Sequence, residues 1–98
     1  MDEMTPDDHF TLREDLVVEE VDDEIVVLDL DGNQYFGLNE VAWLIWQAID
    51  EQKSLAQIVE EIASEFEIDE DRARDDTMAF IEQLLEAGLA SRSQSEST

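Results

Sequence analysis

Apolar residues form three short runs in the first part of the chain, each of a length typical of a β-strand. Residues 16–21 and 24–30 are rich in β-branched side chains, which favour extended backbone. Residues 33–38 follow an Asp31-Gly32 pair, which favours a tight hairpin. With a second turn at Asp22-Asp23, these runs predict a three-stranded antiparallel meander.

From residue 39 onward, apolar residues recur every three to four positions, which is the period of amphipathic helices. Asn39 is placed to cap a first helix that ends at about residue 50. Ser54 and Gln57 have the spacing of a capping box and predict the start of a second helix. Asp69 is the predicted cap of a third helix, and Gly88 is its predicted left-handed end.

The apolar positions of the three helices predict their core faces. The predicted core positions are Val41, Leu44, Ile45, Ala48 and Ile49, then Leu55, Ile58, Val59, Ile62, Ala63 and Phe66, then Ala73, Thr77, Phe80, Ile81, Leu84 and Leu85. Trp43 and Trp46 widen the face of the first helix, and we expect both in the core rather than as a stacking platform. Strands followed by three helices predict an α+β fold of the winged-helix-like kind.

The two ends of the chain differ in composition from its centre. Residues 1–11 are polar and acidic and contain the one proline, so they are expected to form a flexible tail. Residues 91–98 are a serine-rich, low-complexity stretch and are expected to be disordered. A single domain is therefore predicted over residues 12–90. With neither a signal peptide nor an apolar run of the ~20 residues that span a membrane, a cytoplasmic protein is expected.

The charge is strongly unbalanced. Five basic residues stand against 28 acidic ones, which gives a net charge of −23. Such a chain repels nucleic-acid phosphates and anionic membranes, so neither is an expected partner. Two explanations of the acidity stay open: a basic partner, or a surface adapted to a salt-rich environment that screens its self-repulsion.

The sequence offers little catalytic chemistry. Without cysteine, disulfides and thiolate metal sites are excluded. The single histidine, His9, falls in the predicted tail, where a general base would lack a rigid setting. The stretch around Gly32 partly matches a calcium-binding loop, but Val27 and Leu38 would stand at ligand positions, so a hairpin turn explains it better. No catalytic residue, metal site or cofactor is therefore predicted.

The strand predicted over residues 33–38 is an edge of the meander if residues 24–30 form its middle strand. Edge strands expose unpaired N–H and C=O groups, and this one contains no Lys, no Pro and no charged residue. Either the third helix covers it, or it stays open to receive an added strand. Gly37 would let another backbone approach closely.

Several motifs occur here in a fairly specific order and spacing. They are Tyr35-Phe36-Gly37-Leu38-Asn39-Glu40-x-Ala42-x-x-Ile45-Trp46, Leu55-x-x-Ile58-Val59-x-x-Ile62, the acidic loop Ile68-Asp69-Glu70-Asp71, and Phe80-x-x-x-Leu84-Leu85-x-x-Gly88-Leu89. Over residues 16–89 the chain resembles the PqqD-like family, the recognition elements (RiPP recognition elements) of ribosomal peptide-modification pathways.

The resemblance implies a non-catalytic domain that binds the leader segment of a precursor peptide. The leader would add as a strand beside the third predicted strand, with its apolar side chains in a cleft against the third helix. Family members present the peptide to a modifying enzyme, such as a radical SAM enzyme, a leader peptidase or a cyclase. PQQ, lasso-peptide and other pathways are all compatible with the sequence.

Carried onto this chain, the resemblance and the helical period assign a set of peptide-binding residues. They are Gln34, Tyr35, Phe36 and Gly37 on the strand, and Asp76, Thr77, Phe80 and Gln83 on the third helix. Carboxylates along that helix favour a leader with Lys or Arg, or a salt-rich cytoplasm. The alternatives are a winged-helix regulatory or DNA-binding module, or a scaffold that binds a folded protein. DNA binding fits poorly, because the third helix has only Arg72 and Arg74 as basic residues.

Overall fold

The computed structural model describes residues 4–93 and has two small antiparallel sheets and three helices. The elements are β1 (His9–Leu12), β2 (Val17–Val21), β3 (Glu24–Asp29), β4 (Gln34–Leu38), α1 (Glu40–Asp50), α2 (Leu55–Phe66), α3 (Glu70–Ala87) and β5 (Ala90–Ser93). The order β2-β3-β4 is the predicted meander, so the strand predicted as the third is β4. The α+β, winged-helix-like fold class is confirmed.

The second sheet, formed by β1 and β5, was not predicted. His9 pairs with Ser93 and Leu12 with Ala90, so strands at opposite ends of the chain close the fold. Phe10 on β1 is 0% exposed. The expected tails over residues 1–11 and from residue 91 are therefore wrong where they overlap these strands. The parts of the tails at residues 1–3 and 94–98 lie outside the described residues.

The residues just before β1 are held against the start of α2. The backbone N–H of Leu55 donates to the carbonyl of Asp8 at 2.9 Å. The Asp8 carboxylate accepts from Thr5 and pairs with Arg92 at 2.7 Å. His9 lies in β1, with its Nδ1 3.2 Å from the carbonyl of Gln52. These contacts tie the amino-terminal segment to both α2 and β5.

The helix caps follow the sequence signals closely. Asn39 Oδ1 accepts the Ala42 N–H at 2.8 Å, and Ser54 and Gln57 form the reciprocal capping box. Asp69 occupies the cap position of α3, but its side chain makes no capping hydrogen bond, which corrects part of that prediction. Gly88 ends α3 with φ of 76°, as predicted.

The two turns of the meander use different chemistry. Asp22 and Asp23 have φ of 52° and 70°, as a two-residue hairpin turn requires. In the β3–β4 loop, the residue with positive φ is Asn33, at 58°, and not Gly32. The glycine is needed there for space, because a Cβ would lie 2.6 Å from Asp29 Oδ2. The Gly32 N–H donates to the same carboxylate at 3.0 Å.

The core lies between the helices and the inner face of the meander. Its largest fully buried side chains come from every layer of the fold: Phe10, Val27, Ile45, Ile49, Ile58, Ile62, Thr77, Ile81 and Leu89. The predicted helix stripes supply most of these positions. Trp46 is buried as expected, whereas Trp43 is only partly buried.

A buried carboxylate connects the start of β4 to the rest of the domain. Asp29, at the end of β3, is 2% exposed. It accepts hydrogen bonds from Arg13 at 3.0 and 3.2 Å and from Gln34 at 3.3 Å. Arg13 also donates to the carbonyl of Gly88 at 3.3 Å. One guanidinium therefore joins the β1–β2 connection, the β3–β4 loop and the end of α3, which fixes β4 relative to α3.

Candidate functional site

Strand β4 is an open edge of the meander. On its inner side β3 pairs with it, with Val27 opposite Phe36 and Val26 opposite Gly37, and no described strand pairs with its other side. Phe36 and Leu38 point towards the core, whereas Tyr35 is 74% exposed. A Cβ built on Gly37 would meet no atom within 4 Å, so the space beside this residue is free.

A groove runs between β4 and α3. It consists of two adjoining depressions of about 370 and 570 Å³, both of which are bordered by Gly37, Phe80 and Gln83. We call the combined depression the β4–α3 groove. Phe36 and Phe80, both partly buried, supply aromatic surface within it. An open strand edge therefore lies beside a partly apolar groove.

The structure brings six of the eight predicted residues to this groove. They are Tyr35, Phe36, Gly37, Asp76, Phe80 and Gln83. Gln34 does not border it, because its side chain donates to Asp29 at the other end of the strand. Thr77 does not border it either, and is 0% exposed.

The position of Thr77 follows from helix geometry. Residues three or four positions apart share a helix face, so Thr77 falls on the core stripe with Ala73 and Ile81. Its Oγ1 is buried and has no hydrogen-bond partner among residues 4–93. The groove stripe of α3 is the adjacent face, which carries Asp76 and Phe80. Sequence periodicity had placed Thr77 on both faces.

Residues that the sequence prediction missed complete the groove. They are Leu38 on β4, the cap residue Asn39, Val41, Ala42 and Ile45 on α1, Ala79, Leu84, Glu86 and Ala87 on α3, and Leu89 after α3. Extending the spacing of Asp76, Phe80 and Gln83 by three and four positions would have found Ala79 and Ala87. The α1 residues gave no such signal, because their apolar character also fits a core role.

The basic side chains of the chain are all engaged. Each of the five lies within residues 4–93 and forms an ion pair with a carboxylate. On α3, Arg72 lies 3.9 Å from Asp76 and Arg74 lies 3.1 Å from Asp71. The surplus carboxylates therefore leave the surface negative, and the two basic groups of α3 are partly neutralised by acids of the same helix.

The ion pairs around Arg13, which borders the β2–α1 cleft described below, shift the pKa values of their members. Hydrogen bonds from Arg13, and then from the Gly32 N–H, hold the pKa of Asp29 below its ordinary value of 3.8. The same guanidinium lowers the pKa of Asp15, 2.8 Å away. The carboxylates in turn raise the pKa of Arg13. The cluster therefore stays charged throughout the neutral range.

A second cleft lies at the other edge of the meander. It is bordered by Val18 of β2 and by Trp43 and Trp46 of α1, and has a volume of about 460 Å³. Its rim includes the acidic residues Glu14 and Asp50. We call it the β2–α1 cleft.

Two further findings concern residues 4–93 as a whole. Within this part of the chain, no three His, Asp or Glu side chains come together as a group that could hold a metal ion. None of its helices combines the length and apolar character that crossing a membrane requires.

The fold and the groove together define a small α+β domain with an open strand edge facing a helix. The family model described as "Coenzyme PQQ synthesis protein D (PqqD)" matches residues 24–90. The chain therefore belongs to this family, and the assignment as a PqqD-like recognition element is confirmed.

Two solved structures are similar to the chain over nearly their whole length. One is "Lasso peptide synthetase B1 complexed with the leader peptide", with 32% identity and a TM-score of 0.77 over 85% of this chain and 98% of that one. The other is "TbiB1 in Complex with the TbiA(beta) Leader Peptide", with 28% identity and a TM-score of 0.73 over 90% and 99%. No curated protein sequence matches the chain significantly.

Proposed function

We propose that this chain captures the leader segment of a ribosomally made precursor peptide. The leader adds as a strand along the free edge of β4, and its inward side chains enter the β4–α3 groove. The chain then presents the bound peptide to a modifying enzyme or leader peptidase in the cytoplasm, without catalysing a reaction itself. Both similar structures are described as complexes with leader peptides, which supports this proposal.

The single observation that carries the proposal is the uncharged, unpaired edge of β4 beside a groove. Backbone N–H and C=O groups on such an edge can hydrogen-bond to any extended peptide, which supplies affinity. Because side chains of a strand alternate, every second residue of the leader would point towards Phe36 and Phe80, and this would supply specificity. The remaining leader side chains would lie beside Tyr35.

The charge pattern supports a leader that carries Lys or Arg. Asp76 and Glu86 border the groove, and no basic side chain does so among the described residues. The same pattern disfavours the DNA-binding alternative, since Arg72 and Arg74 are already paired with acids. A gel shift with duplex DNA at low salt should therefore show no complex.

Calorimetric titration with the leader segment of the cognate precursor peptide tests the proposal. A micromolar or tighter complex is expected, together with NMR shifts in the amides of β4, and a scrambled peptide of the same composition serves as the control. The absence of both heat and β4 shifts for the true leader would reject leader capture at this edge.

A further inference from the structure

The face of the meander that points away from the core is largely apolar. Strand alternation puts Ile25, Val27 and Phe36 on the inner side. The opposite side carries Val17, Val21, Val26, Leu28 and Tyr35, which we call the outer sheet face. Val17, Leu28 and Tyr35 are directly opposite one another and form a continuous row across the three strands.

Nothing in the described part of the chain covers this face. Among residues 4–93, none of its five members belongs to the hydrophobic core or packs against it. Val21 is 51% exposed, and Tyr35 is 74% exposed. Antiparallel sheets with one solvated face normally carry polar residues there, and charged residues make up 34% of this chain. A contiguous apolar patch on such a surface is typical of an interaction site.

The rim of the outer sheet face is acidic. Glu19 lies on the face itself, on the same side of β2 as Val17 and Val21. Glu24 also lies on this face, directly opposite Val21, and Asp22 and Asp23 form the β2–β3 turn at its end. All of these acids are exposed. A second copy of the chain would bring a like-charged rim against this one, which disfavours a homodimer. Charge complementarity instead favours a partner with basic residues around an apolar centre.

We infer that the outer sheet face is the docking surface for the enzyme that acts on the bound peptide. This inference rests on the proposed leader capture and names the surface and chemistry of the second partner. The enzyme would contribute an apolar patch flanked by Lys or Arg, with its apolar centre on Val17, Leu28 and Tyr35. Interfaces of this kind combine a desolvated apolar centre with a charged rim that aids association.

The position of the face next to the leader site couples the two partners. Tyr35 belongs both to the outer sheet face and to the border of the β4–α3 groove. A leader strand added to β4 would extend the same sheet and place every second side chain on the outer face. The enzyme then contacts a surface composed of this chain and of the leader. Its affinity therefore rises when the leader is bound, and by linkage the enzyme strengthens leader binding equally.

Two adjacent valines provide a matched pair of variants. Val17 is 36% exposed and Val18 is 40% exposed, but they point to opposite sides of β2. Val17→Lys puts a positive charge on the outer sheet face, whereas Val18→Lys puts the same charge beside the β2–α1 cleft. Both positions are exposed enough to accept lysine, and thermal denaturation verifies folding. Val21→Lys is a second variant on the outer face.

The experiment measures binding of the purified cognate leader peptidase or modifying enzyme, with and without saturating leader. Val17→Lys is expected to weaken enzyme binding about tenfold or more, as at an interface anchor. Val18→Lys is expected to leave it within about twofold, and leader affinity should be unchanged in both variants. Equal losses in both variants, or a loss in neither, would overturn the inference.

Two further outcomes separate this inference from leader capture itself. If the parent chain binds leader but not the enzyme, the docking surface is wrong and leader capture stands. If the parent chain does not bind leader in the calorimetric titration, the proposed leader capture itself is wrong. Sedimentation of the chain alone completes the test, since a dimer that Val17→Lys dissociates would assign the face to self-association and overturn the inference.

Discussion

The two edges of the meander belong to one sheet but differ in their exposed chemistry. Strand β2 carries Glu19 and Glu20 within five residues, and all five are exposed. Strand β4 carries no charged residue, and its Phe36 and Leu38 reach into the core. Charged side chains are a common protection of edge strands against unwanted pairing. One edge is thus protected, and the other is left available.

The clefts next to these edges also differ in polarity, and the cleft beside β2 is the more polar one. The β2–α1 cleft has an aromatic wall of Trp43 and Trp46, but half of its lining is polar or charged: Arg13, Glu14, Gln47, Asp50 and Glu51. The β4–α3 groove has mostly small or apolar residues along it, with Asp76 and Glu86 as its acids. A cleft alone therefore does not distinguish the proposed leader site in this fold. The pairing potential of the neighbouring strand distinguishes the two.

The largest expected effect comes from blocking the free edge with proline. Neighbouring residues of a strand alternate in the direction of their N–H groups, so one of Phe36 and Gly37 donates outward and the other donates to β3. Phe36→Pro and Gly37→Pro should therefore differ in whether they lower leader affinity or folding stability. The outward position should lose leader affinity by more than about tenfold, or ~1.4 kcal/mol, while the inward one should mainly lose stability.

Val18→Pro on β2 is the control for this comparison. It alters the other edge of the same sheet, so leader affinity measured by calorimetry should change little as long as the variant remains folded. Unchanged leader affinity in both β4 variants, or an equal loss from the β2 variant, would remove the distinction between the edges.

The next effect concerns the wall of the groove. Phe80→Ala should lower leader affinity about ten- to hundredfold, because aromatic anchors dominate such interfaces. Phe66→Ala is its matched control, since Phe66 is also partly buried against the core but lies on α2. Both should lose about 2–3 kcal/mol of stability, less than a fully buried phenylalanine. An equal affinity loss in the control would mean that stability, not contact, is being measured.

A third effect tests how β4 is held in place. Because the pKa of Asp29 is lowered in the folded state, its contribution to stability is present above pH 3.8 and is lost as the pH falls below this value. Asp29→Asn should lower the denaturation midpoint at pH 7 and flatten its fall in acid. Asp15→Asn removes an exposed partner of the same Arg13 and should lower the midpoint less than Asp29→Asn does. Urea denaturation at pH 7 and pH 3 measures both, and equal midpoints at pH 7 would contradict the anchoring role.

The smallest expected effect concerns the acids of the groove. Asp76→Asn and Glu86→Gln should each weaken binding of a leader that contains Lys or Arg by about two- to fivefold, as for exposed ion pairs. The loss should shrink at high salt, because screening weakens exposed charge interactions. Titrations at two salt concentrations measure it, with Glu65→Gln on α2 as the control. Tighter binding by the neutral variants would favour the salt-adapted explanation of the acidity over a basic partner.

The amount that was predictable from sequence differs between the fold and the site. The meander, the three helices and the caps at Asn39 and Ser54 were predicted because each depends on residues a few positions apart. In the β3–β4 turn, the sequence predicted the loop but not that Asn33 is its left-handed residue. The Gly32 N–H donates to the carboxylate of Asp29, which precedes the turn, and turn composition alone does not reveal this contact. For the site, the strand residues were easier to predict than the helix residues. A helix presents several adjacent faces, and periodicity alone does not show which of them borders the groove.

The sequence by itself determined the meander, the three helices, their order, the uncharged edge and the family. Only the tertiary structure decided that Phe10 belongs to a strand, that Thr77 faces the core, and that Arg13 joins three separate segments. The physical reason is the range of the interactions. Caps, turns and helical periods are local and leave a mark in contiguous residues, whereas the pairing of β1 with β5 and the burial of Asp29 arise only when distant segments pack together.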